Sequence, residues 1–146
     1  VRQNIFYRKG YKYQLIEDVS FRTDVYPPHD ITTQFITLLA NGFLTIRMGY
    51  AWDGPSGPTI DTRNFMRGSL AHDALYQLMN KPIERLTWNW KRAADYELYK
   101  ICRQDGMCRR RANYVFKAVR KHGGKSGVTA HTLCSAPDKD AVKRIG

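Results

Sequence analysis

An α+β fold is expected, with an N-terminal antiparallel β-meander packed against about three C-terminal α-helices. Apolar residues recur with period two up to about residue 50, and with spacings of three and four after about residue 62. Between the two patterns lies AWDGPSGPTIDT, residues 51–62, whose two Gly and two Pro can continue neither a strand nor a helix. The 146 residues, 42% apolar, suffice for one ordinary core, so residues 1–124 are expected to form a single domain.

Tyr11, Tyr13 and Leu15, then Val19, Phe21, Thr23 and Val25, alternate as the inward faces of strands do within residues 11–50. Pro27-Pro28 interrupts the pattern, and His29-Asp30 reads as a turn in which Asp accepts local backbone N–H groups. Thr33 to Leu39 and Phe43 to Met48 flank Ala40-Asn41-Gly42, where Asn-Gly offers the positive φ values of a tight hairpin. Residues 51–62 form a shaped loop, and Asp61 or Thr62 can cap the helix behind it.

The first helix is expected over about 63–80, stopping before Pro82, with Met66, Leu70, Ala74, Leu75 and Leu78 on its core stripe. A second stripe, Ser69, His72, Asp73 and Tyr76, also shares one face, where an exposed helix would carry Lys, Glu or Gln. The second helix, about 88–105, starts with Thr87 as cap and ends at Gly106, with Trp90, Ala94, Leu98 and Ile101 inward and Asp95 beside them. Trp88 and Trp90 are read as core. The third helix, about 107–122, ends at Gly123-Gly124. The basic tail 125–146 is poor in large apolar residues and is expected to wrap the surface or be partly irregular.

The net charge of +11 is local. Residues 1–80 hold 8 Lys+Arg against 7 Asp+Glu, whereas residues 81–146 hold 16 against 6. Arg109, Arg110, Arg111, Lys117, Arg120 and Lys121 are expected to form a cationic surface for a membrane, nucleic acid or acidic protein; a solvated helix face is the alternative. No run approaches the ~20 apolar residues of a bilayer span. None follows Arg2, Arg8 and Lys9, so the chain reads as neither membrane-spanning nor visibly secreted. Cys102, Cys108 and Cys134 lack CxxC spacing and suggest neither a disulfide framework nor a zinc knuckle. Nucleotide and serine hydrolysis lack their glycine-rich loop and GxSxG elbow.

Ionisable groups with shared geometry therefore gather in the 51–62 loop, on the His72 face, and at Asp95. Such a cluster either performs chemistry or pins a helix to its neighbours through hydrogen bonds. GYAWDGPSGPT followed by RGSLAHDALY resembles the signature of an uncharacterised domain family of tailed phages and prophages. The likeness covers roughly residues 9–122 through Tyr11 to Leu15, Asp53-Gly54, Ser56, Pro58, Ser69, His72-Asp73, Tyr76, Asp95 and Ala118-Val119-Arg120. It implies a phage or prophage origin, in the host cytoplasm or virion among other phage proteins, and brings no activity with it.

A glycine loop, a His-Asp pair, a Tyr four residues after the His and a later helical Asp also resemble secreted phospholipase A2. That resemblance implies Ca2+ held by the carbonyls of Trp52, Gly54 and Ser56 and by Asp73, with His72 activating water. It further implies Asp95 as the group orienting His72, and Tyr76 supporting Asp95. The chemistry is coherent, since Ca2+ takes oxygen ligands and a neutral His can accept a proton from water. The sequence departs from that family in having no disulfide framework, Ser56 in place of a glycine, and Pro55 and Pro58 in the loop. His29-Asp30 with His72-Asp73 and Asp95 imitates the ligand order of metal-dependent phosphohydrolases, which the β-rich first third opposes. The expected function is thus a metal-assisted ester hydrolase acting on lipid; the alternative is a non-catalytic phage module with a structural His-Asp helix and basic helices that bind an anionic partner.

Overall fold

The computed structural model describes residues 5–8, 13–52, 63–81, 83–122 and 142–145. Strands come first and three helices follow, the expected α+β order. The chain divides into two compact units, Val1–Thr59 with His131–Gly146, and Ile60–Ala130. The division between Thr59 and Ile60 falls within the Gly/Pro-rich 51–62 stretch, the segment that neither periodicity can cross.

The first unit contains β1 (Ile5–Arg8), β2 (Tyr13–Leu15), β3 (Val19–Arg22), β4 (Ile31–Thr32), β5 (Ile36–Leu38), β6 (Phe43–Ile46), β7 (Ala51–Trp52) and β8 (Val142–Ile145). They form two antiparallel four-stranded sheets, ordered β7-β2-β1-β8 and β3-β6-β5-β4. Alternation holds where one face is buried: Val19 and Phe21, Ile36 and Leu38, Leu44 and Ile46 point inward. In β2 it fails, because Tyr13, Gln14 and Leu15 are all buried, and Gln14 meets that burial by donating to the Gly49 carbonyl at 3.1 Å. β8 comes from the tail expected to be irregular, where it pairs Ile145 with Ile5 and Val142 with Arg8.

The expected strand from Thr33 to Leu39 is broken at its start. Thr33 turns the chain by donating its N–H to the Ile36 carbonyl (2.7 Å) while its Oγ1 accepts the Ile36 N–H (3.1 Å), so β5 begins only at Ile36. The hairpin at residues 39–43 also differs from the expected turn with two positive φ values. Gly42 alone takes positive φ there (91°), and Asn41 contributes its Oδ1 as acceptor for the Phe43 N–H at 3.0 Å. Gly42 N–H bonds the Leu39 carbonyl and Leu39 N–H the Phe43 carbonyl, both at 2.9 Å, the pattern of a three-residue loop closed by a glycine bulge. A Cβ at Gly42 would lie 2.3 Å from the Thr23 carbonyl oxygen.

The second unit contains α1 (Arg63–Met79), α2 (Lys91–Gln104) and α3 (Arg109–His122), with α1 packed on α2 and α2 on α3. α1 is buried nearly all round; among its residues only Arg63, Asn64 and Asp73 escape burial. Gly68 permits a close α1–α2 approach, since a Cβ there would stand 2.8 Å from Cys102 Sγ and 3.2 Å from the Leu98 carbonyl oxygen. Phe65, Leu98, Cys102, Met107, Ala112 and Val115 form the core between the helices, with Val119 packed against it.

α2 is preceded by a 3-10 turn, Trp88–Trp90, where a continuous helix from 88 is expected. Thr87 has the extended backbone of a cap, yet its side chain makes no capping hydrogen bond. Trp88 and Trp90 are half-buried rather than core. The other end follows the sequence closely. Gly106 takes φ 97°, its N–H bonds the Arg103 carbonyl (3.2 Å) and Met107 N–H bonds the Cys102 carbonyl (2.9 Å), a Schellman closure with Met107 and Cys102 sharing the core. α3 begins two residues later than expected, with the Cys108 carbonyl accepting the Ala112 N–H at 2.9 Å. Among the described residues no helix is long and apolar enough to cross a membrane.

Candidate functional site

Asp95, on α2, is fully buried and takes hydrogen bonds from all three helices. Its Oδ1 lies 2.7 Å from His72 Nε2 and accepts the Tyr76 hydroxyl as well. Its Oδ2 accepts from Lys91 Nζ at 3.0 Å and from Arg120 Nη1 at 2.9 Å. Helical spacing explains three of the four donors. His72 and Tyr76 stand one turn apart on α1 with ring centroids 4.1 Å apart, and Lys91 stands one turn before Asp95 on α2. Arg120 arrives from α3. Lys91 Nζ additionally donates to the Val119 carbonyl at 3.2 Å, serving the last turn of α3, whose carbonyls lack intrahelical donors. Trp88 closes the cluster edge-on to Tyr76, with centroids 5.6 Å apart.

Burial of the Asp95 carboxyl works to raise its pKa. Hydrogen bonds from His72 and Tyr76, followed by the charge of His72 and the Lys91 bond, outweigh that burial and lower it from 3.8 to about 2. Tyr76 moves the opposite way: burial first, then its bond to Asp95 and the charge of Asp95, push the phenol above its ordinary value, so it remains a neutral donor. An ionised carboxylate can only accept, so His72 must carry its proton on Nε2 where it meets Asp95. In the neutral ring this leaves the Nδ1 lone pair open, and among the described residues Nδ1 has no hydrogen-bond partner.

Asp73 follows His72 on α1 and is half-buried, close enough for its charge to bear on Tyr76. Ser69 shares the face but returns its hydroxyl to the Met66 carbonyl of its own helix at 2.9 Å. Of the residues expected around a Ca2+ ion, Trp52 is a buried residue of β7 whose ring is tilted against Tyr13 (centroids 5.5 Å apart), and Gly54 and Ser56 lie outside the described residues, as does the neighbouring Asp53. No three His, Cys, Asp or Glu side chains group as a metal site among the described residues. His29 and Asp30 are exposed residues of the first unit, and Asp30 Oδ1 accepts the Ala40 N–H at 2.8 Å, as a turn residue does. Cys102 is no nucleophile, because burial pushes its thiol up to about 12.

The expected cationic surface is smaller than six residues. Arg109, Arg110, Lys117 and Lys121 are exposed. Arg111 turns inward, donating to Asn64 Oδ1 at 3.3 Å and lying over the Phe65 ring at 5.8 Å, and Arg120 is engaged with Asp95. Three contributors to the Asp95 cluster escape the sequence reading: Lys91, Arg120 in this role, and Trp88. Lys91 could have been found from its four-residue spacing to Asp95. Arg120 is 25 residues away from Asp95, and nothing local announces it. No family model, curated protein or solved structure matches this chain.

Proposed function

We propose that this chain is an ester hydrolase in which His72 is the general base and Asp95 its orienting carboxylate. The observation that carries the reading is the placing of one imidazole, whose Nε2 meets a buried, ionised Asp95 at 2.7 Å while Nδ1 has no hydrogen-bond partner among the described residues. Nδ1 takes a proton from a water molecule as that water's oxygen attacks the ester carbonyl carbon. Asp95 stabilises the imidazolium so formed, and the proton then passes to the departing alkoxide. Tyr76, Lys91 and Arg120 hold Asp95 and do not touch the reacting atoms. Asp73, a partly exposed hard-oxygen donor beside His72, fits a Ca2+ ligand. When bound, the ion would polarise the ester carbonyl and stabilise the developing oxyanion.

A lipid ester as substrate and a phage or prophage origin belong to the same proposal, supported by the two sequence resemblances. So does an anionic partner for the exposed cations of α3. One observation favours a second reading: both Asp95 oxygens are fully taken by side chains from three helices, as in a cluster that only holds a fold together. Fatty-acid release from a dispersed short-chain phospholipid separates the two. The hydrolase reading expects turnover that needs calcium and falls at least tenfold in Asp73→Asn; no release by the folded parent protein with calcium present would establish the structural reading instead.

A further inference from the structure

Three of the four exposed cations of α3 face one direction. Arg110, Tyr114, Lys117 and Lys121 recur at spacings of three and four, so they stack along a single face, and all four are exposed, Tyr114 by 56%. The opposite face carries Ala112 and Val115 in the helical core, which fixes this stripe outward from that core. No Asp or Glu occurs in α3 or anywhere between Gly106 and Pro137, so no acidic residue on the helix offsets the stripe. At 1.5 Å of rise per residue, the three cations span about 16 Å of helix with one phenol ring among them.

We infer that this stripe docks the protein onto a bilayer rich in anionic phospholipid, by adsorption rather than insertion. Charge complementarity calls for an anionic partner. A tyrosine set among cations suits the headgroup layer, where its ring meets the acyl boundary and its hydroxyl stays wet. The stripe carries no aliphatic residue, so the contact is shallow and largely electrostatic. A single-stranded nucleic acid would call for successive rings to stack its bases, and the stripe offers one. Arg120 ties the same helix to Asp95, making the docking face and the His72 cluster parts of one helical unit. The purpose of docking, presenting lipid to His72, rests on the hydrolase reading above, whereas the docking itself does not.

Flotation with phosphatidylcholine vesicles, with and without phosphatidylserine, tests the inference. The parent protein should float only with the phosphatidylserine vesicles and be released as salt is raised. The triple variant Arg110→Gln, Lys117→Gln, Lys121→Gln should bind on the order of a hundredfold more weakly, about fivefold for each charge removed. The charge-keeping pair Lys117→Arg, Lys121→Arg should bind as the parent does, which separates charge from misfolding. Equal flotation with both vesicle types, undiminished binding by the triple variant, or tighter binding to a single-stranded oligonucleotide than to the anionic vesicles would overturn it. His72→Ala should float like the parent even though hydrolysis is gone. Failed catalysis therefore appears as flotation without fatty-acid release, and failed docking as release from dispersed lipid without flotation.

Discussion

At the scale of single residues, Asp95 exchanges water for four donors. Withdrawing a carboxylate from water costs several kcal/mol, and the cost is met only when every lone pair finds a good partner. His72, Tyr76, Lys91 and Arg120 supply those partners. Asp95→Asn keeps the size but removes the charge, leaving two cations facing an amide. Because Lys91 and Arg120 are partly exposed, with 20% and 32% of their side-chain surfaces accessible, the loss should be moderated to about 2–3 kcal/mol in urea unfolding. A loss below about 0.5 kcal/mol would show that the cluster contributes little. The residues of the α1 face and Asp95 were legible in the sequence because helical periodicity places polar groups where an exposed helix would not carry them. Arg120 was not, because its partnership depends on how α3 packs, which no local pattern encodes.

At the scale of elements, termini marked by breakers could be read and pairings could not. Pro82 and Gly106 announce where α1 and α2 stop, since one removes a backbone donor and the other accepts a left-handed conformation. The start of α2 departs from the expected form, for Thr87 stands at the N-cap without a side-chain bond and the chain enters the helix through a 3-10 turn. The split at Thr33 was hidden by a side-chain hydrogen bond that competes with the ladder. Two glycine substitutions separate backbone strain from packing. Gly106→Ala meets no atom within 4 Å but must hold φ 97°, so it should cost about 1 kcal/mol through conformation alone. Gly68→Ala keeps an ordinary helical backbone and instead forces its methyl against Cys102 and Leu98, so about 1–3 kcal/mol of overpacking is expected. Urea unfolding of both variants would check the order; a Gly106→Ala protein more damaged than Gly68→Ala would reverse the assignment.

At the scale of the whole molecule, alternation forecast strands but not their distribution over two sheets. Pairing β1 with β8 joins segments from opposite ends of the chain, and β2 with β7 reaches across the four strands between them in sequence. Such long-range register leaves no local trace. The division into two units gives acid unfolding a definite site. Asp95 has a folded pKa of about 2, below its ordinary 3.8, so its stabilisation is present above about pH 4 and is lost as pH falls towards 2. Hydrogen exchange at falling pH should therefore show α1, α2 and α3 losing protection across that window, and Asp95→Asn should flatten the dependence. Protection of the three helices that is indifferent to pH between 4 and 2 would mean that Asp95 is not held ionised by its donors. The catalytic role of His72 is decided by fatty-acid release from a dispersed short-chain phospholipid, measured for the parent and for His72→Ala shown by circular dichroism to keep its helices. Turnover by the parent and none by His72→Ala is the predicted result; equal turnover by the two proteins would contradict it.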